Sequence, residues 1–259
     1  MTSLSTSKAY DLSGRAALVT GGGVGIGRAI ALVLGQAGAT VGIHYRTSRQ
    51  GAEQTAAELN RPGGRAILLE GDLTVEDQAH GVVDRFVAEA GRLDILINNA
   101  GSPIERRRLE DCSTDLWRRI IEVNVTAPFM VTRRAIPHLR ATGNGSIVNN
   151  LTLSIQTGGS GGAGPYAAAK GALQVLTRTM ARELAPAVRA NAIMPGVIET
   201  RHHEVFSTAE KMAEYRSQTP LGRNGSAEEV AHAVLFLACD ASRFLTGAMI
   251  DINGGRFLR

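Results

Sequence analysis

The sequence predicts a single α/β domain of the doubly wound type, with a seven-stranded parallel sheet, on three observations. Short, almost wholly apolar runs recur along the chain. Longer segments lie between them, with apolar residues returning every three or four positions. The first run leads through a glycine-rich loop straight into such a segment. Strands alternating with helices imply right-handed crossovers and a parallel sheet, and strands without polar alternation are those buried on both faces. A chain of 259 residues suits one such unit. No internal repeat and no proline-rich or charged linker divides it.

In chain order, residues 1–10, "MTSLSTSKAY", read as a loose polar tail without the hydrophobic core of a signal peptide. The strands are "AALVT" (16–20), "TVGIHY" (40–45), "AILLEG" (66–71), "DILINNAG" (94–101), "GSIVNNLT" (145–152), "VRANAIMPG" (188–196) and "AMIDING" (248–254). Helical spacing fills intervals such as "VEDQAHGVVDRFVAEAG" (75–91) and "STDLWRRIIEVNVTAPFMVTRRAIPHLR" (113–140). "QTGGSGGAGPY" (156–166) reads either as a flexible linker or as a loop whose bare backbone approaches a ligand.

Composition removes several classes of function. Lysine and arginine total 28 against 24 acids, and this small excess is scattered except in "ERRRLE" (105–110), which argues against a nucleic-acid surface. Cys112 and Cys239 lie far apart, with neither metal nor disulfide spacing, so a reducing, cytoplasmic setting is expected. No apolar run reaches the length of a membrane span, and no membrane partner is expected. His202 and His203 are adjacent, cannot easily face one ion and have no signalled third ligand, so no metal centre is expected.

"TGGGVGIG" (20–27) does not fit GxGxxG in any register, yet Gly21, Gly25 and Gly27 sit between a strand and a helix start. A helix N-terminus offers unpaired N–H groups and a positive dipole end, and glycines let a pyrophosphate approach them. A tight turn without a ligand is the alternative. The second strand ends in "HYRTS", where an NAD(H) enzyme would place an acid for the ribose 2′-OH. Tyr45 stands there, followed by Arg46, Thr47 and Ser48, a cation and hydroxyls suited to a 2′-phosphate, which favours NADP(H) over NAD(H).

"YAAAK" puts Tyr166 and Lys170 four residues apart on one helix face. A phenol is a poor acid or base near neutrality unless a cation stabilises its phenolate, and a lysine one turn away is expected to do that. Tyr166 is then a candidate proton donor to a carbonyl or acceptor from an alcohol.

Taken together these motifs resemble the short-chain dehydrogenase/reductase family over residues 11–255, and look closest to its 3-oxoacyl-carrier-protein reductases and sugar dehydrogenases. Thr20 to Gly27 match its TGxxxGxG loop, with Gly21, Gly25 and Ile26 at the cofactor. "GDL" (71–73) resembles its adenine-contacting turn, giving Asp72 and Leu73. "NNAG" (98–101) resembles the stretch packed along the cofactor, giving Asn98 and Ala100. "MPGVIET" (194–200) resembles its PGxIxT segment, with Ile198 and Thr200 at the nicotinamide amide. The resemblance implies a Rossmann-like fold and a tetrad of Asn124, a hydroxyl residue, Tyr166 and Lys170. Lys170 would lower the Tyr166 pKa and hold the nicotinamide ribose, and Asn124 would anchor a water leading to solvent. It also implies a homotetramer and a mobile segment after Thr200 that closes over substrate.

The hydroxyl member departs from the pattern. The family's serine would fall on Leu153, which cannot donate a hydrogen bond; counting along the strand lands on Thr152, with Ser154 as rival. Both have the same parity and would share a face of an extended strand. Arg106, Arg107 and Arg108 read either as a solvated helix start or as a site for an acidic substrate or a carrier protein. The expected activity is interconversion of a carbonyl and an alcohol, with a sugar or polyol dehydrogenase and an idle dinucleotide-binding protein as alternatives.

Overall fold

The computed structural model describes residues 6–60, 64–200 and 208–258. Its strands are β1 (Ala16–Val19), β2 (Thr40–Tyr45), β3 (Arg65–Glu70), β4 (Ile95–Asn98), β5 (Gly145–Asn150), β6 (Val188–Pro195) and β7 (Met249–Ile252). They form one sheet in the order β3-β2-β1-β4-β5-β6-β7, every neighbouring pair parallel. The seven-stranded, Rossmann-like expectation is met. Strand order runs outward in opposite directions from β1 and β4, so the crevice at their carboxyl ends is the topological switch point where such sheets bind ligands.

The helices are α1 (Thr6–Ala9), α2 (Gly25–Gln36), α3 (Arg49–Leu59), α4 (Glu76–Ala90), α5 (Thr114–Ile121), α6 (Ala127–Ala141), α7 (Ser154–Thr157), α8 (Gly164–Glu183), α9 (Ala209–Ser217) and α10 (Ala227–Ala238). None among the described residues is long and apolar enough to cross a membrane. The all-apolar strands have a physical explanation in the two cores. Ala17 and Val19 of β1 pack with Ile95 and Ile97 of β4 under α2 and α10. Ala16, Leu18 and Leu96 face α4 and α6 on the other side. Side chains alternate between faces, and both faces are covered. The edges differ: β3 leaves Leu68 40% exposed, and every residue of β7 is half-buried.

Two local features lay outside the sequence reading. Glu122–Thr126 form a π-helical turn between α5 and α6, and Asn124 sits in it, fully buried. Arg189 of β6 is buried and donates to the Leu237, Cys239, Ser242 and Leu245 carbonyls, which clamps the end of α10 to the sheet. At the other end α10 is closed by a capping box: Ser226 Oγ accepts from the Glu229 N–H at 3.2 Å, and Glu229 Oε2 accepts from the Ser226 N–H at 2.8 Å.

Candidate active site

The β1 carbonyl end runs into Gly21 and Gly25, both at positive φ, and then into α2. At Gly27 an added Cβ would lie 2.0 Å from the Gly21 carbonyl oxygen, so the loop closes only on glycine. The residue before α2 is Val24, which has no side-chain acceptor, so the first N–H groups of the helix carry no side-chain cap. Thr20 and Asn99 hold the loop: Thr20 Oγ1 accepts from the Asn99 and Ala100 N–H groups at 3.0 Å. Asn99 Nδ2 donates to the Thr20 and Gly21 carbonyls at 3.0 and 3.2 Å.

His44, which the sequence reading passed over, supports the same loop. Its Nδ1 accepts from the Gly21 N–H at 3.0 Å and its Nε2 faces the Gly71 carbonyl at the same distance. Those partners require an unprotonated Nδ1 and a hydrogen on Nε2, hence a neutral ring. Burial agrees, holding the imidazole below its ordinary value.

A cleft of about 1100 Å³ opens beside this loop. It is lined by Gly21, Gly25, Ile26, Arg46, Thr47, Ala100, Thr152, Ser154, Tyr166, Lys170, Ile198 and Thr200, twelve positions expected from the sequence to act together. Asp72, Leu73 and Asn98 line an adjoining cavity that shares Arg46 and Ala100 with it. The Asn98 side chain is turned into the fold, donating to Thr132 Oγ1 and Asn149 Oδ1 at 2.9 and 2.8 Å. Arg46 lies 3.4 Å from Asp72 Oδ2, and Asp72 is itself held by the Thr74 hydroxyl at 2.7 Å. Tyr45 is buried at the end of β2 and donates to Glu70. His202 and His203 lie outside the described residues.

Tyr166 and Lys170 stand one turn apart near the start of α8, with Lys170 Nζ 5.8 Å from the Tyr166 ring centre. Lys170 is 2% exposed and donates to the Asn150 carbonyl at 2.8 Å. Asn150 Nδ2 in turn donates to Asn99 Oδ1 at 2.9 Å. The Asn150 Oδ1 is buried with no partner among the described residues, in a residue that lines the cleft. Asn124 Oδ1 accepts from the Ser102 N–H at 3.1 Å, and its Nδ2 donates to the Ser102 and Ile120 carbonyls at 2.7 and 2.9 Å. Gly101 separates Asn124 from Lys170: an added Cβ would sit 2.7 Å from Asn124 Oδ1 and 2.9 Å from Lys170 Nζ.

Two expectations need correction. The phenol is not made acidic in this state: burial pushes Tyr166 up to about 12 and Lys170 down to about 8, desolvation leading in both. The parity argument for Thr152 and Ser154 also fails, because the chain stops being extended. Leu153 has helical φ −53 and ψ −30, and Ser154 opens α7, its N–H donating to Thr152 Oγ1 at 3.2 Å. Both hydroxyls still line the cleft.

The arginine run has two fates. Arg107 and Arg108 are exposed and paired with Glu105 and Glu110, and the run leads into a 3-10 turn at Leu109–Asp111, not an α-helix start. Arg106 lines the cleft. The loop before it holds Ile104 at φ 59, a left-handed conformation costing a β-branched residue about 1–3 kcal/mol. "QTGGSGGAGPY" is a cleft-side loop and not a linker: Thr157, Ser160 and Ala163 line the cleft. Gly162 accepts from the Arg107 N–H at 3.1 Å, and an added Cβ there would lie 2.7 Å from the Arg107 nitrogen.

Sheet topology and cleft chemistry converge on one class, an oxidoreductase that works with a bound dinucleotide: uncapped helix N–H groups, a glycine cradle and an orphaned amide oxygen fit that cofactor. A family model described as enoyl-(acyl carrier protein) reductase matches residues 22–256. The chain is 38% identical over 250 residues to a 3-oxoacyl-[acyl-carrier-protein] reductase of Thermotoga maritima, covering 94% of this chain and 98% of that one. It is 38% identical over 240 residues to a cyclopentanol dehydrogenase of Comamonas sp., covering 92% and 95%. A solved 7α-hydroxysteroid dehydrogenase in complex with NADH and 7-oxo glycochenodeoxycholic acid superposes at a TM-score of 0.92, with 30% identity and 97% and 98% coverage. The chain belongs to the short-chain dehydrogenase/reductase family, which binds a nicotinamide dinucleotide.

Proposed function

We propose that this protein is an NADP(H)-dependent carbonyl reductase acting on a ketone of the 3-oxoacyl type, with Tyr166 as proton donor. The observation that carries the reading is the pairing of half-buried Tyr166 with buried Lys170 in one cleft with the uncapped N-terminus of α2. A phenol raised to about 12 keeps its proton at neutral pH, which is the form that can protonate a carbonyl oxygen and favours reduction. Lys170 stays charged below about 8, held by the Asn150 carbonyl, and sets a positive charge beside the phenol as it loses its proton. A bound NADPH supplies the hydride.

Thr152 takes the hydroxyl role ahead of Ser154. Its oxygen already accepts the Ser154 N–H, so its own hydrogen remains to donate to a substrate oxygen. Asn124 braces Ser102 against Ile120 behind Gly101, a position from which it can anchor a water leading toward Lys170. On the cofactor side, Gly21, Gly25 and Ile26 receive the phosphates, and Ala100 and Asn98 form the wall. Asp72 and Leu73 border the adenine, and Ile198 and Thr200 hold the nicotinamide amide. Arg46 and Thr47 take the 2′-phosphate; no acid follows β2 directly, and Glu70 is engaged by Tyr45 and Arg49. The relatives act within the same reaction class, as a 3-oxoacyl-carrier-protein reductase and a cyclopentanol dehydrogenase. The protein works in the cytoplasm as a homotetramer, with the half-buried β7 available to meet a second copy.

NADPH consumption on a panel of 3-oxoacyl thioesters and simple ketones tests this reading. Tyr166→Phe should lose about 10²- to 10⁴-fold in kcat/KM, and Thr152→Ala far more than Ser154→Ala. Arg46→Ala should raise the KM for NADPH while leaving that for NADH unchanged. Full turnover by Tyr166→Phe on a verified substrate overturns the mechanism, and a native preference for NADH overturns the cofactor assignment.

A further inference from the structure

We propose that Arg106 is the residue that selects substrate in this cleft, and that the substrate carries a free carboxylate, making it an oxo acid. The inference rests on the carbonyl-reductase reading but not on the thioester form of a 3-oxoacyl substrate: it narrows the ketone to one whose carboxylate is free.

Three consecutive arginines leave the β4 end of the sheet, and the fold treats one of them differently. Arg107 and Arg108 point outward to Glu105 and Glu110. Arg106 lines the catalytic cleft along with Pro103, Ser160, Ala163 and Tyr166. Arg106 and Tyr166 line the same cleft, and the arginine's positive charge acts on the phenol against the effect of burial.

The backbone is bent to put it there. Ile104 adopts φ 59, with its N–H held by Ser102 Oγ at 2.9 Å. Beyond Arg106 the chain is clasped by the glycine loop through the Arg107 N–H to the Gly162 carbonyl. A constraint on each side fixes where the Arg106 side chain departs.

The surrounding charge has the same sign. Among the described residues that line the cleft, Glu214 is the one acid, and it is bound by Lys211 at 2.7 Å and by Gln218 at 3.0 Å. Arg256 also lines the cleft, stacked 4.6 Å over the Tyr215 ring with Nη2 donating to Gln218 Oε1 at 2.6 Å. A concave site lined by one sign of charge concentrates the opposite ion. The planar guanidinium matches a carboxylate in two parallel hydrogen bonds, which a neutral ester cannot reproduce.

The test pairs each oxo acid with its methyl ester, levulinate and phenylglyoxylate being convenient, in the full chain and in Arg106→Gln, Arg106→Lys and Arg107→Gln. Steady-state NADPH consumption is read alongside calorimetric binding of cyclohexanecarboxylate and cyclohexanecarboxamide, which need no turnover. The native protein should favour acid over ester. Arg106→Gln should raise the KM for the acid about ten- to hundredfold relative to the ester, with Arg106→Lys intermediate and Arg107→Gln like the native protein. Equal use of acid and ester by the native protein overturns the proposal. So does an Arg106→Gln loss that falls equally on both, the signature of a residue acting only on Tyr166. If no carbonyl compound is reduced, the reductase reading fails and binding decides: carboxylate bound over amide, and lost in Arg106→Gln, supports the proposal, whereas equal binding overturns it.

Discussion

Tyr166 and Lys170 show how far a single residue's chemistry depends on its surroundings. In isolation a phenol and an ammonium four residues apart suggest an acidified tyrosine. Desolvation of both groups reverses that expectation before any ligand binds. The titration of Lys170 has a testable sign. With its pKa lowered to about 8, the side chain is an ammonium below that pH and neutral above it. The kcat/KM for carbonyl reduction should therefore be level on the acid side and fall as pH rises through about 8. Lys170→Arg, which keeps its charge throughout this range, should move that fall to higher pH. A pH–rate profile unchanged by the substitution would assign the alkaline limb to another group. Tyr166, Lys170 and the glycines were legible in the sequence because their spacing is local. Arg106 was legible only as one of three in its run, and His44 not at all, since which arginine turns to the cleft and what a histidine holds depend on partners such as Tyr166 or Gly71 that only tertiary structure supplies.

At the level of elements, all seven strands could be read from apolar runs, because strands covered on both faces lose the polar alternation that marks half-exposed ones. Two departures escaped for the opposite reason. The π turn at Glu122–Thr126 continues the helical spacing on either side of it, so periodicity does not reveal the extra residue that turns Asn124 inward. The chain leaves β5 after Asn150 and turns helical at Leu153, an apolar residue, where no glycine or proline gives warning. Arg189 is likewise silent in a strand otherwise rich in small and apolar residues. Its guanidinium satisfies carbonyls at the end of α10, where a positive charge also complements the helix dipole. Arg189→Leu should destabilise the fold by about 2–4 kcal/mol, seen as a lower urea midpoint with an unchanged slope. A midpoint equal to that of the native protein would show that these carbonyls find water as readily.

For the whole molecule, coverage of the sheet is complete at its centre and incomplete at its margins, β3 exposing Leu68 and β7 staying half-buried. A homotetramer that covers β7 should give about four times the 27.4 kDa chain mass in light scattering. A monomer at micromolar concentration would refute that assembly.

The hydrogen bonds from Lys170 through Asn150 and Asn99 to Gly21 join the proton-transferring end of the cleft to its phosphate-receiving end. Each link uses a backbone carbonyl or an amide already committed to its neighbour, so no member can shift without asking the next to follow. Grip on the dinucleotide and alignment of the ammonium are thus mechanically one adjustment. Selection on either would drag the other with it, leaving the side of the cleft where Arg106 stands, outside this run of hydrogen bonds, as the part able to change its preferences independently.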